Sequence, residues 1–82
     1  MEIKASKYYP AHVIASYSKY FRIRVNKGMS DYEVANKAGV DYGILSRWKT
    51  GKATPTPKTV FKIANVLAVN VTDMLEFQNE VV

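Results

Sequence analysis

The chain has 82 residues, 48% of them hydrophobic, and carries a net charge of +5 at pH 7. That length supports one small core, and the apolar share is too high for a disordered tail. With no cysteine and a single histidine, His12, the chain offers no disulfide, no thiolate nucleophile and no zinc knuckle, so no metal or cofactor is expected.

The punctuation divides the chain into five helical segments. The first is expected from about Pro10 to Lys27. Pro10 suits a first helical turn, Val13, Ile14, Tyr17, Tyr20, Phe21 and Arg24 recur three and four apart with Ile23 beside them, and Gly28 stops the run. Residues 1–9 form either an extra turn or a loose basic arm carrying Lys4 and Lys7. No stretch alternates cleanly with period two between hairpin turns, which argues against a sheet.

The second helix is expected over Asp31–Ala38. Ser30 is its N-cap and Glu33, three residues on, completes a capping box. Val34, Ala35 and Ala38 face inward, and Gly39 ends the helix at positive φ. The third runs from Tyr42 to Thr50. Asp41 is its N-cap, with a carboxylate suited to the helix dipole, and Ile44, Leu45 and Trp48 form its buried stripe.

After Gly51 the stretch Lys52–Thr56 reads as a loop. Thr56 then caps a fourth helix that starts with Pro57 and turns Val60, Phe61, Ile63, Ala64 and Leu67 inward. A fifth follows Asn70, with Asp73 as its capping acid and Val71, Met74, Leu75 and Phe77 as its apolar stripe. Gln78–Val82 are expected to fray. The result is an all-α domain of five short helices over residues 10–78, with residues 79–82 as a tail.

The charge is unevenly spread. Lys4, Lys7, Lys19, Arg22, Arg24 and Lys27 oppose the single acid Glu2 in residues 1–30. Arg47, Lys49, Lys52, Lys58 and Lys62 have no acid among them, whereas Asp73, Glu76 and Glu80 close the chain without a base. One end therefore suits a polyanion, and nucleic acid is the partner that such a small basic domain suggests. The apolar runs are too short to span a membrane, and no signal-peptide pattern opens the chain.

The run from Met29 to Leu75 resembles the phage-repressor-like helix-turn-helix family typified by lambda repressor and Cro. The resemblance rests on Lys27-Gly28-Met29-Ser30, Val34-Ala35, Gly39-Val40, Leu45-Ser46-Arg47-Trp48, Gly51-Lys52, Pro55, Lys62-Ile63-Ala64, Leu67 and Val69. It implies that the third helix enters the major groove, that the second lies across it against the backbone, and that the protein acts as a dimeric repressor on double-stranded DNA. It further implies a phage or prophage setting. A cytoplasmic location, in a bacterial cell or an infected host, is the default expectation from the short apolar runs and the lack of a signal-peptide pattern. An antitoxin or a protein-interaction adaptor on the same fold is the alternative.

On the third helix Tyr42, Gly43, Ser46 and Arg47 are left facing outward as the base-reading set. Arg47 suits the O6 and N7 atoms of guanine, or a phosphate. Tyr42 suits a thymine methyl or a phosphate, or covers the turn. Gly43 permits close approach to the groove wall. Lys49, Thr50, Lys52, Thr54, Thr56 and Lys58 are the expected phosphate contacts. Val71, Met74, Leu75 and Phe77 offer either a dimer face or closure of the core.

Two acids depart from the family pattern. Asp31 stands where a phosphate-binding glutamine is common and would repel the backbone unless it only serves the helix dipole. Asp41 adds negative charge near the groove, its carboxylate either occupied as a cap or accepting from cytosine N4. Ala68 replaces a frequent glycine, a small departure. His12 has no second ligand or nucleophile in a motif and reads as an ordinary surface or helix-start residue. No constellation of residues supports catalysis.

Overall fold

The structure, a computed structural model, describes Tyr9 and residues 12–77. The expected arm at residues 1–8, the helix start at Pro10 and the tail from Gln78 lie outside the described residues. Strand β1 (Val13–Ala15) leads into helices α1 (Tyr17–Asn26), α2 (Asp31–Ala38), α3 (Tyr42–Lys49) and α4 (Pro57–Leu67). A single 3-10 turn at Val71–Met74 then runs into strand β2 (Leu75–Phe77).

The described residues are thus mainly helical, with four α-helices instead of five, and Val13–Ala15 meets Leu75–Phe77 in a short ribbon. β1 pairs antiparallel with β2 in the register Val13↔Phe77, Ile14↔Glu76 and Ala15↔Leu75. This corrects two expectations. The first helix begins only at Tyr17, because Ser16 caps it by accepting from the Lys19 amide at 3.2 Å. The expected fifth helix makes one turn and becomes a strand. Asp73 does accept from the Asn70 amide at 3.1 Å, but pairing with β1 takes the backbone of Leu75–Phe77 into extended geometry. β1 shows the period-two pattern, Val13 and Ala15 in and Ile14 out, over only three residues.

The remaining helices form where the sequence places them. The Ser30–Glu33 capping box is present in both directions, and Gly39 closes α2 at φ 71°, a left-handed conformation that favours glycine. Thr56 caps α4 by accepting from the Thr59 amide, with Pro57 at the first helical position. α4 ends differently from expectation. Ala68, read as a small departure, itself holds the left-handed position at φ 58°, a strained place for a residue with a Cβ.

The core gathers one face of each element. Tyr20, Val34, Leu45, Val60, Ile63, Leu67 and Met74 are fully buried, with Ala35, Trp48, Ala64 and Leu75 beside them. Burial of Met74 and Leu75 fits closure of the core, one of the two roles expected of them with Val71 and Phe77. Val71 is half-buried against the core, and Phe77 alone of the four is exposed. Phe61, expected inside, is also about half exposed, as is Phe21.

Candidate nucleic-acid interface

The short helix α3 would not persist alone, so its orientation is set by what holds it from behind. Leu45 is fully buried and Trp48 nearly so. The Trp48 ring stacks on Tyr20 at 5.0 Å and meets Tyr17 edge-on at 5.5 Å. Its indole N–H donates to the carbonyl oxygen of Ala15 at 3.1 Å. The inner side of α3 is therefore fixed to α1 and to the ribbon, and the opposite side is free. Tyr42, Ser46 and Arg47 are exposed there, and Gly43 is half-buried between them.

Gly43 has an intramolecular reason for lacking a side chain. A Cβ at that position would come within 3.1 Å of both Arg47 Nη1 and Asp41 Oδ2. The guanidinium and the carboxylate thus face one gap on the outer surface of α3. Asp41 occupies the N-cap position, but its side chain makes no capping hydrogen bond, contrary to the expected use of its carboxylate.

The segment after α3 folds back on the helix. Lys52 and Ala53 donate their amides to the Arg47 carbonyl at 2.8 and 3.3 Å. The Thr50 hydroxyl is within reach of the Ser46 and Arg47 carbonyls. This closes the end of α3 and leaves the side chains of Lys49 and Lys52 in solvent, with Thr54 and Lys58 also exposed. Thr56 is half-buried and its hydroxyl is engaged with Thr59, so what it offers an anion is backbone. Arg47, Ile44, Thr54 and Thr56 border a shallow groove between α3 and the start of α4. The N–H groups of a helix's first turn have no partner within the helix and suit an anion.

Asp31, expected to face a phosphate, is turned inward. Tyr17 and Tyr20 donate their hydroxyls to its two oxygens at 2.8 and 2.5 Å, and Arg24 Nε lies 2.9 Å from Oδ1. Burial, with the hydrogen bond to Asp31 second, raises the pKa of both tyrosines above the ordinary phenol value. Arg24 also donates to the Met29 carbonyl at 2.9 Å. The acid is offset by its own neighbours, and the repulsion expected of it at a phosphate surface is largely removed.

Tyr32 escapes a reading of the sequence. It is exposed in the first turn of α2, and its ring lies 6.2 Å from that of Tyr42. Helical periodicity places Tyr32 on the outer side of α2, but its pairing with Tyr42 depends on how α2 crosses α3. His12 is exposed. Among the described residues no group of acids, histidines or cysteines could hold a metal ion, and no helix is long and apolar enough to cross a membrane.

The arrangement is a short helix held across another by a glycine turn, its outer side open and flanked by bases. The family model described as helix-turn-helix matches residues 16–74. The chain belongs to the lambda repressor-like helix-turn-helix family, a class of DNA-binding domains.

Solved structures agree with that placement. The chain is similar to the N-terminal DNA-binding domain of the master biofilm regulator SinR from Bacillus subtilis. The two are 30% identical, over 79% of this chain and 96% of that one, with a TM-score of 0.65. It is also similar to a chain of the SinR–SinI protein complex, 30% identical over 71% of this chain, with a TM-score of 0.66. It spans 57% of that chain. The transcriptional regulator VanUg shares the fold at 17% identity and a TM-score of 0.68, over 94% of this chain and all of that one. No curated protein matches the chain significantly.

Proposed function

We propose that the protein is a sequence-specific regulator of transcription that binds double-stranded DNA, most simply a repressor of phage or prophage type acting as a cytoplasmic homodimer. The observation that carries this reading is the outer side of α3, where Tyr42, Gly43, Ser46 and Arg47 are free of the core while Leu45 and Trp48 fix the helix from behind. A helix presented in this way suits the major groove, in which base edges carry a distinct pattern of donors and acceptors. Arg47 reads guanine, and Ser46 and Tyr42 contact neighbouring bases. Lys49, Thr50, Lys52, Thr54 and Lys58, with the backbone at Thr56, track the phosphates on the side of the exit loop.

Footprinting on a site selected from random duplex tests the whole reading. A dimer protects two half-sites whose centres lie about 34 Å apart, or a multiple of that. One short asymmetric footprint overturns the homodimer, and failure to select any site overturns the sequence-specific reading.

The second reading is an antitoxin or adaptor whose main contact is a protein. It is supported by the similarity to a chain of the SinR–SinI protein complex. Titration with random duplex across salt separates the two. Contacts through several Lys and Arg give a steep fall in affinity as salt rises. A flat response together with tight binding of a protein partner favours the adaptor.

A further inference from the structure

The side-chain N-caps of the other three α-helices are in use. Ser16, Ser30 and Thr56 each accept from the amide three residues on. Asp41, at the start of α3, is the exception. Its carboxylate makes no capping bond and is exposed, and its Oδ2 borders the same gap over Gly43 as Arg47 Nη1. Each atom lies 3.1 Å from the point that a Cβ on Gly43 would occupy, so the two are within about 6 Å of one another. They are nevertheless not joined as an ion pair; among the described residues that contact belongs to Arg24 and Asp31.

An uncapped anion on a surface that approaches phosphates weakens every non-specific encounter. A carboxylate held beside the recognition helix can compensate only where DNA presents a donor. In the major groove the donors are the exocyclic amino groups, N4 of cytosine and N6 of adenine, and a carboxylate suits cytosine N4.

Resting on the reading of α3 as the DNA-reading helix, we infer that Asp41 is a specificity-determining residue that accepts from cytosine N4. Asp41 and Arg47 form an acceptor–donor pair across Gly43. Arg47 donates to a guanine, and Asp41 selects a cytosine in the same or the adjoining base pair. Asp41 also excludes guanine and thymine at its position, because their groove oxygens would face its own. Gly43 keeps the gap open so that both side chains reach the groove together.

The test is selection of sites from a random duplex pool by the full 82-residue chain, the D41N variant and the R47A variant, with far-UV circular dichroism as a check on folding. The wild type is expected to select guanine and cytosine at the same or adjoining positions. D41N, whose amide offers both a donor and an acceptor, should lose the cytosine preference by roughly tenfold and move toward adenine, while the guanine is kept. R47A should lose the guanine and keep the cytosine. If D41N returns an unchanged motif, or only binds all sequences more tightly, the inference fails while the reading of α3 stands. If the wild type selects no motif, that reading and this inference fail together.

Discussion

Arg24 Nε lies 2.9 Å from the Asp31 carboxylate, and both side chains are only slightly exposed. This contact, with the hydroxyls of Tyr17 and Tyr20 on the same carboxylate, ties α1 to the start of α2. The aromatic rings of the same tyrosines pack on Trp48 of α3. One acid therefore helps to fix the relative placement of three helices.

Removing that acid leaves a largely buried cation and two hydroxyls without their acceptor. Asp31→Ala should destabilise the protein by about 2–4 kcal/mol. Urea unfolding followed by circular dichroism measures it. A loss below about 0.5 kcal/mol, the range of ordinary surface substitutions, would mean that the cluster does not hold the helices together.

Alkaline pH should act through the tyrosines. Tyr9 is buried and donates to the Pro55 carbonyl at 3.0 Å, and burial pushes its pKa up from 10.0 to about 12. The folded state thus keeps a proton that the unfolded chain releases first. The stability held in this way is complete below pH 10 and declines as pH rises through about 12. Tyr9→Phe should cost about 1 kcal/mol at neutral pH through the lost hydrogen bond, and should make the decline shallower. Tyr17 and Tyr20, whose pKa values are also raised, maintain the remainder. Denaturant midpoints taken at intervals across that range check both parts; an equally steep decline in the variant would remove Tyr9 from the account.

The end of α4 offers a stabilising change. Ala68 sits at φ 58° and ψ 43°, where a Cβ crowds the following carbonyl. Glycine relieves this but gains freedom in the unfolded chain, so Ala68→Gly should stabilise the protein by about 0.5–1 kcal/mol. A rise in the melting temperature of a few degrees is the expected signature, and a fall would show that the local geometry is unstrained.

Base reading and phosphate tracking separate at Arg47 and Lys52. Arg47→Ala should relax preference at one base position, losing about 1–3 kcal/mol of discrimination there. Lys52→Ala should weaken binding on every sequence and reduce the slope of log affinity against log salt by about one. Competition binding against single-base variants at several salt concentrations distinguishes them. Identical effects of the two substitutions on specificity would sink the division of roles.

Local chemistry alone was enough to place α2, α3 and α4. Ser30 with Glu33, Gly39, Gly51 and Thr56 with Pro57 mark boundaries through bonds made within a few residues, and those bonds form wherever the chain goes. The outward set on α3 follows in the same way from the buried spacing of Leu45 and Trp48. The ribbon had no such local cause. Val13–Ala15 and Leu75–Phe77 are short apolar stretches that suit a helix or a strand, and each becomes a strand because the other, sixty residues away, supplies its hydrogen bonds. That long-range pairing also turned Leu75 inward, on the same side as Ala15. The same holds for charge. Asp31 reads as a phosphate-facing acid until α1 brings Tyr17, Tyr20 and Arg24 to it, and Asp41 reads as an occupied cap until its carboxylate is found beside Gly43, facing the gap shared with Arg47. Caps and periodicity act over three or four residues and are written in the sequence. Which face of a side chain meets solvent, and which acid meets a base, depends on elements that only folding brings into contact.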